Sequence, residues 1–210
     1  TFLFILTQNK NLSIYRINKG IIDKFMNEIS LNQQCQFDDE TYLFCSREFL
    51  FLKIGDITYQ SSISLIITLG KIKFNKSEKL SNLKCACSNG VTFSIINDQK
   101  TIQTFNSENE LCISSSQTKS ISTILSSLNK SEILLTNGYF FGLLENSGKI
   151  KMIPINASEN IIFEQEDNFP IENDLPIDAA TIDILTNMFY SVSYLNSESV
   201  IYCYPYSGST

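Results

Sequence analysis

The chain has 210 residues, of which 43% are hydrophobic and 18% are charged, and its formal net charge is −6. This length allows one large domain or two small ones with a sizeable core. The negative charge disfavours nucleic acid and anionic membrane as partners. Because the chain contains no histidine, Ser–His–Asp catalysis, Cys–His catalysis and histidine metal sites are excluded within these 210 residues.

One hairpin pattern, an apolar strand followed by a polar turn and an alternating strand, is first seen at residues 1–15 (TFLFILTQNKNLSIY). It recurs at residues 48–59, 89–105, 137–153 and 194–202. An aliphatic residue anchors the second strand of each hairpin; the five anchors are Leu12, Ile57, Ile102, Ile150 and Val200. The anchors are 45, 45, 48 and 50 residues apart, and a near-constant period of this size indicates a β-propeller.

Further strands are predicted on either side of the hairpins. A short apolar strand precedes every hairpin except the first, at Tyr42–Cys45, Leu83–Cys87, Ile133–Thr136 and Thr181–Leu185. A fourth strand follows every hairpin except the last, at Gly20–Met26, Ile63–Leu69, Leu111–Ser115 and Asn160–Gln165. The first of these four also fits a short amphipathic helix.

The predicted fold is therefore an all-β propeller of about five four-stranded blades. The blades fall at approximately residues 1–30, 41–70, 82–116, 131–166 and 180–205. The first and last blades are each one strand short, and both contain the two middle strands. Since they cannot complete each other, we expect the chain to be part of a larger propeller; an open or irregular five-bladed ring is the alternative.

In the hairpin at residues 89–105, individual residues are predicted to form turns or to pack between blades. Asn89-Gly90 is predicted to form the turn that enters its first strand. Phe93, Ile95 and Ile102 are predicted to pack between blades, and Asp98 is predicted to be a turn residue.

Residues 83–111 (LKCACSNGVTFSIINDQKTIQTFNSENEL) resemble a repeat of the regulator-of-chromosome-condensation family. Ala86-Cys87, Thr92–Ile95 and Ile102–Phe105 match its apolar-Ala-Cys, His-Thr-Leu-Ala-Leu and Val-Tyr-x-Trp portions, and Glu145–Ile150 is similar to its turn. The chain lacks the family's His and Trp and most of its glycines, and a WD-repeat-like propeller is the second choice. The resemblance implies a propeller that binds proteins. None of the family's nucleotide-exchange residues match, so that activity is not implied.

Carboxylates are the remaining candidates for catalysis, since some five-bladed propellers hydrolyse glycosides with paired carboxylates. Asp38 and Asp39 fit a solvated connector, and Asp56 fits a tight turn. Asp183 lies inside the apolar strand ATIDIL and is the one carboxylate whose position suggests a role. An outward strand position or a cap on a neighbouring backbone group also explains it. We predict no catalytic residue, cofactor or metal site.

Six cysteines occur without a CxxC motif, at Cys35, Cys45, Cys85, Cys87, Cys112 and Cys203. Their spacing fits neither a zinc site nor a regular disulfide framework. We therefore expect reduced thiols in a cytoplasmic protein, with the cytoskeleton or nucleus as alternative locations. No apolar run approaches the length of a membrane span, so no membrane partner is expected.

Charge is unevenly distributed along the chain. Lys151 is the last basic residue, and residues 152–210 carry nine acidic groups. Residues 71–84 hold five lysines, whereas residues 154–178 are acidic and hold three of the four prolines. We expect both stretches to be exposed connections through which other proteins can dock.

Together these features predict a non-catalytic protein–protein interaction scaffold, a subunit of a larger complex. One alternative is the recognition module of a small-GTPase or ubiquitin-pathway regulator, which depends on family analogy. The other is a lectin-like or glycosidase five-bladed propeller.

Overall fold

The computed structural model describes residues 1–7, 9–19, 21–31, 41–77, 80, 83–97, 102–106, 111–115, 133–136, 140–144, 150–154, 163–165, 177–195 and 198–205. Within these residues, the regular structure is antiparallel β-sheet apart from one short helix. The chain forms two compact units. Unit 1 comprises Thr1–Phe44 and Glu48–Asn82, and unit 2 comprises Cys45–Arg47 and Leu83–Thr210.

The first sheet of unit 1 contains β1 (Phe2–Leu6), β2 (Asn11–Asn18), β3 (Ile21–Lys24) and β4 (Ile29–Ser30). Strands β1 and β2 form the predicted first hairpin. Strands β3 and β4 both pair with β2, at opposite ends of it. Two short strands therefore take the place of a single fourth strand. A strand rather than a helix is confirmed within Gly20–Met26.

The second sheet contains β5 (Tyr42–Cys45), β6 (Phe49–Ile54), β7 (Ile57–Ser62) and β8 (Asn75–Lys76). The predicted two-residue turn at Gly55-Asp56 is confirmed, and Gly55 has a φ of +52°. Positive φ at the first central position is the conformation that favours glycine in such hairpins. In β6, Leu50, Phe51 and Leu52 are all buried, so both faces of this strand are covered, as expected for an inner strand.

The prediction that Ile63–Leu69 is a strand is wrong, because these residues form helix α1. The β6–β7 pairing ends at Phe49 and Ser62. One further hydrogen bond follows it, in which Ile63 N–H donates to Glu48 O. Beyond that point a helix satisfies its own backbone groups. Gly70 closes the helix in the left-handed conformation, with its N–H donating to Ile66 O. The fourth strand of this sheet is β8, which lies beyond the predicted end of the blade at residue 70.

Unit 2 holds three sheets whose strands follow sequence order. The third sheet has β9 (Leu83–Ser88), β10 (Phe93–Asn97), β11 (Ile102–Phe105) and β12 (Leu111–Ser115). The fourth has β13 (Ile133–Thr136), β14 (Phe140–Leu144), β15 (Ile150–Pro154) and β16 (Phe163–Gln165). The three-stranded fifth has β17 (Ala179–Asp183), β18 (Met188–Leu195) and β19 (Glu198–Pro205). All five predicted hairpins are therefore present.

The first strands of these three sheets, β9, β13 and β17, are mutual neighbours. Leu135 of β13, Ile182 of β17 and Phe189 of β18 form a buried cluster between the fourth and fifth sheets. Phe93 and Ile95 are buried as predicted; the side chain of Ile102 lies outside the described residues. Sequence-ordered sheets that pack through their first strands are propeller-like.

Two smaller points complete the comparison of predicted and observed elements. The strand predicted at Thr181–Leu185 is shifted to Ala179–Asp183, and Leu185 lies exposed in the turn that follows. None of the helical structure in the described ranges is long and apolar enough to cross a membrane.

Candidate functional site

Two turns of unit 2 meet where β9 and β17 end. Ile184 N–H donates to Asn89 O over 3.2 Å. Thr181 Oγ1 donates to Ser88 O over 3.0 Å. The first bond joins the turn Asn89–Thr92, which follows β9, to the turn Ile184–Asn187, which follows β17, and the second bond joins the two strands themselves. We call these two turns together the rim.

Asn89 orders the first turn of the rim from a fully buried position. Its Oδ1 accepts hydrogen bonds from the N–H groups of Val91 and Thr92, at 3.0 and 2.8 Å. Its Nδ2 donates to Thr92 Oγ1 over 3.0 Å. Asparagine favours turns because its side chain replaces backbone partners in this way. The predicted turn at Asn89-Gly90 is confirmed.

Asp183 orders the second turn in the same manner. It is 5% exposed, its Oδ1 accepts the N–H of Leu185 at 3.0 Å, and its Oδ2 accepts Thr186 Oγ1 at 2.8 Å. The carboxylate therefore caps neighbouring groups of its own turn, which is one of the two structural roles that the sequence suggested for it.

Gly90 brings the two turns into close contact. Its φ is +84°, and a Cβ added to it would lie 3.0 Å from Asp183 Oδ1. A residue with a side chain would be strained by the backbone conformation and would also press on a carboxylate that is held by two hydrogen bonds. The rim therefore requires glycine at this position.

Two thiols and a phenol lie near the rim. Burial raises the pKa of Cys45; the Asp183 carboxylate adds to the rise, and a hydrogen bond with Ser88 opposes it. Burial likewise raises the pKa of Cys203, against a hydrogen bond from Tyr190. Burial is also the main cause of the raised pKa of Tyr190. Since the thiolate is the nucleophilic form of cysteine, a raised pKa disfavours nucleophilic chemistry at both thiols.

The rim presents exposed side chains on an ordered backbone. Leu185 is 68% exposed, and the neighbouring Thr186 and Asn187 are also exposed. Asn187 adopts a φ of +52° and completes the turn before β18. An apolar side chain is thus exposed in this turn, next in sequence to two exposed polar residues.

Of the other candidate carboxylates, the structure describes only Asp56. Asp56 is exposed in the turn between β6 and β7 of unit 1. Asp38 and Asp39 lie outside the described residues, as does Asp98. Within the described ranges, no group of three or more Cys, Asp and Glu side chains is placed to hold a metal ion.

The basic stretch at residues 71–84 is not the simple exposed connection that was predicted. Lys71, Lys73 and Lys76 are exposed, but Ile72 and Leu80 are buried. Strand β8, which pairs with β7, also lies within the stretch. Of the acidic stretch at residues 154–178, only residues 154, 163–165 and 177–178 are described.

Two polar features were not predicted from the sequence. Lys53 is 1% exposed, with its Nζ 5.5 Å from the centroid of the Tyr42 ring. It lies in the otherwise apolar strand FLFLKI, whose four central residues are all buried, and this apolar context is the signal that could have identified it. The second feature is a buried hydroxyl group at Ser94, 2.7 Å from Thr104 Oγ1 and 3.4 Å from Thr136 Oγ1.

The sheets define the class of protein: an all-β chain of consecutive antiparallel, mostly four-stranded, propeller-like sheets. No protein-family profile matches the chain, and no curated protein matches it. Among solved structures it is similar to one titled "Structure of U3-55K", at 6% identity and a TM-score of 0.44, covering 91% of this chain and 70% of that one. Since that TM-score is below 0.5, the class assignment depends on this chain's own sheets.

Proposed function

We propose that this chain is a β-propeller scaffold without catalytic activity, and that it binds another protein through the rim. The observation that carries the proposal is the hydrogen bonding of Asp183. This carboxylate holds the turn that presents Leu185 to solvent. Both oxygens of the carboxylate accept hydrogen bonds from its own turn. The side chain that this turn exposes is the apolar Leu185.

An ordered backbone favours binding because less conformational freedom is lost when the partner docks. Asn89, Gly90 and Asp183 fix the rim before any partner arrives. An apolar core surrounded by polar residues is also the usual anatomy of a protein–protein interface. We infer that the partner is a protein that offers an apolar pocket to Leu185, and that the two form a cytoplasmic complex.

Replacement of Leu185 by Asp tests this proposal. Because Leu185 is exposed, L185D leaves the fold intact while it places a charge in the contact. The matched control is Leu69→Asp, since Leu69 is 62% exposed at the end of α1 in unit 1. Tagged wild-type, L185D and L69D chains are used for affinity capture in parallel, with thermal unfolding as a check of folding.

We expect the captured partner to be reduced at least about tenfold by L185D, a loss of about 1.4 kcal/mol, and to be unchanged by L69D. Equal capture by wild-type and L185D chains would contradict the proposal. Equal loss with L185D and L69D would contradict it as well, because it would show that the effect comes from added charge rather than from the rim.

A further inference from the structure

The dipeptide Asn89-Gly90 in the first turn of the rim has a chemical reactivity that its role in the turn does not use. The side-chain amide of asparagine can be attacked by the backbone nitrogen of the next residue. Glycine at that position permits the attack most readily, because it has no Cβ to hinder the approach. The same dipeptide recurs at Asn137-Gly138, which lies outside the described residues.

The reaction is a deamidation that consumes only water. Gly90 N forms a bond to Asn89 Cγ, the bond from Cγ to Nδ2 breaks, and ammonia leaves with the proton that Gly90 N gives up. Water then opens the resulting five-membered ring at one of its two carbonyl groups. The product is aspartate or, when the backbone continues through Cγ, isoaspartate.

The folded rim restrains both reacting groups. The amide of Asn89 is fixed by hydrogen bonds to Val91 and to both the N–H and the Oγ1 of Thr92. Ile184 N–H donates to Asn89 O and thereby fixes the peptide group that contains Gly90 N. Asn89 is also fully buried, so water does not reach it. Ring closure must break these contacts, and it therefore requires the rim to open locally.

Neither product fits the rim. Aspartate places a carboxylate at a fully buried position, which is unfavourable, and in the turn next to Asp183. Isoaspartate adds a carbon atom to the backbone before Gly90 and turns the carbonyl that Ile184 uses into a free carboxylate. Gly90 has no space to shift, since a Cβ added to it would lie 3.0 Å from Asp183 Oδ1.

We propose that Asn89 is a deamidation site whose reaction the folded rim suppresses, and that its conversion to aspartate or isoaspartate dismantles the rim. The ammonia is lost to solvent, so every opening that leads to reaction is permanent. The stability of the rim therefore sets a lifetime for the intact chain. This chemistry does not depend on which protein the rim binds, or on whether it binds one.

Peptide mapping by mass spectrometry measures the reaction in the full chain. The chain is incubated in mildly alkaline buffer with and without concentrated urea, and aspartate and isoaspartate are quantified at Asn89 and Asn137. We expect Asn89 to react as fast as Asn137 in urea, and at least about tenfold more slowly without urea, because reaction requires local opening. Equal rates at Asn89 with and without urea would overturn the proposal, as would a lack of reaction in urea.

A pair of variants at Thr92 tests whether the hydrogen bonds of Asn89 provide the protection. Thr92→Val removes the hydroxyl partner of Asn89 Nδ2 and keeps the N–H that donates to Oδ1, whereas Thr92→Ser keeps both. We expect Asn89 to deamidate at least about threefold faster in T92V than in T92S without urea, and equally fast in urea. Equal rates without urea would contradict the proposed protection.

The effect of the product on the rim is measured with Asn89→Asp. The matched control is Asn187→Asp, which adds the same charge at an exposed position of the rim. We expect the midpoint of thermal unfolding to be at least about 2 °C lower for N89D than for N187D. Equal midpoints would show that the rim tolerates the product and would overturn this part of the proposal.

Discussion

Gly90 illustrates how one residue fixes the geometry of the rim. Its positive φ is a conformation that an L-residue reaches at a cost of about 1–2 kcal/mol, and an added Cβ would lie 3.0 Å from Asp183 Oδ1. The carboxylate cannot move aside freely, because it accepts hydrogen bonds from Leu185 N–H and Thr186 Oγ1. Both the backbone and the packing therefore select glycine.

The first prediction compares Gly90→Ala with Gly70→Ala. Gly70 has a φ of +61° and nothing within 4 Å of an added Cβ, so G70A reports the backbone strain alone. We expect G90A to lower the free energy of unfolding by a further amount of about 1–3 kcal/mol, the usual range for overpacking. Urea titration of the two variants measures the difference. Equal losses would show that Gly90 and Asp183 are not in tight contact.

At the scale of the residue, the sequence predicted the turns well and the contacts between distant residues poorly. Asn89-Gly90 and Gly55-Asp56 were predicted because turn chemistry is local. The approach of Gly90 to Asp183 was not predicted, since it depends on how the third and fifth sheets pack. The burial of Lys53 was missed because a lysine in a strand is normally exposed.

At the scale of the element, the strands were predictable because the apolar and polar residues follow the period of a strand. Helix α1 was the exception. Its sequence, ISLIITL, is rich in β-branched residues and favours a strand on composition. Pairing with the region of β6 ends beside Glu48, and the outer edge of β7 pairs with the later strand β8 instead of with this segment. Tertiary context therefore overrides the local preference.

The second prediction concerns how β10 and β11 are held together. Ser94 Oγ and Thr104 Oγ1 lie 2.7 Å apart, and both residues are buried. Ser94→Ala or Thr104→Val leaves one buried hydroxyl without this partner, at a cost of about 1–3 kcal/mol. Ser94 also lies 3.4 Å from Thr136 Oγ1, so we expect S94A to cost more than T104V.

A double-mutant cycle measures the coupling between these two hydroxyl groups. We expect the S94A/T104V double variant to lose less stability than the two single variants combined, by at least about 0.5 kcal/mol. The free energies come from urea unfolding of the four proteins. Additive losses would show that the two hydroxyl groups do not interact in solution.

At the scale of the whole molecule, the sequence repeat and the described sheets agree on one architectural unit. Five hairpins recur along the chain, and each is part of a sheet whose strands lie in antiparallel pairs. In unit 2, the first strands β9, β13 and β17 pack against each other. This is the behaviour expected of sheets that cannot bury both faces alone and must stack on their neighbours.

The central proposal is that these propeller-like sheets are the blades of a scaffold protein. A crystal structure or a cryo-electron microscopy map of the chain tests it most directly. We predict that the three sheets of unit 2 surround a common axis, with β9, β13 and β17 innermost and the rim at one end of that axis. Two sheets stacked face to face as a sandwich, or first strands that point away from a common centre, would contradict the claim.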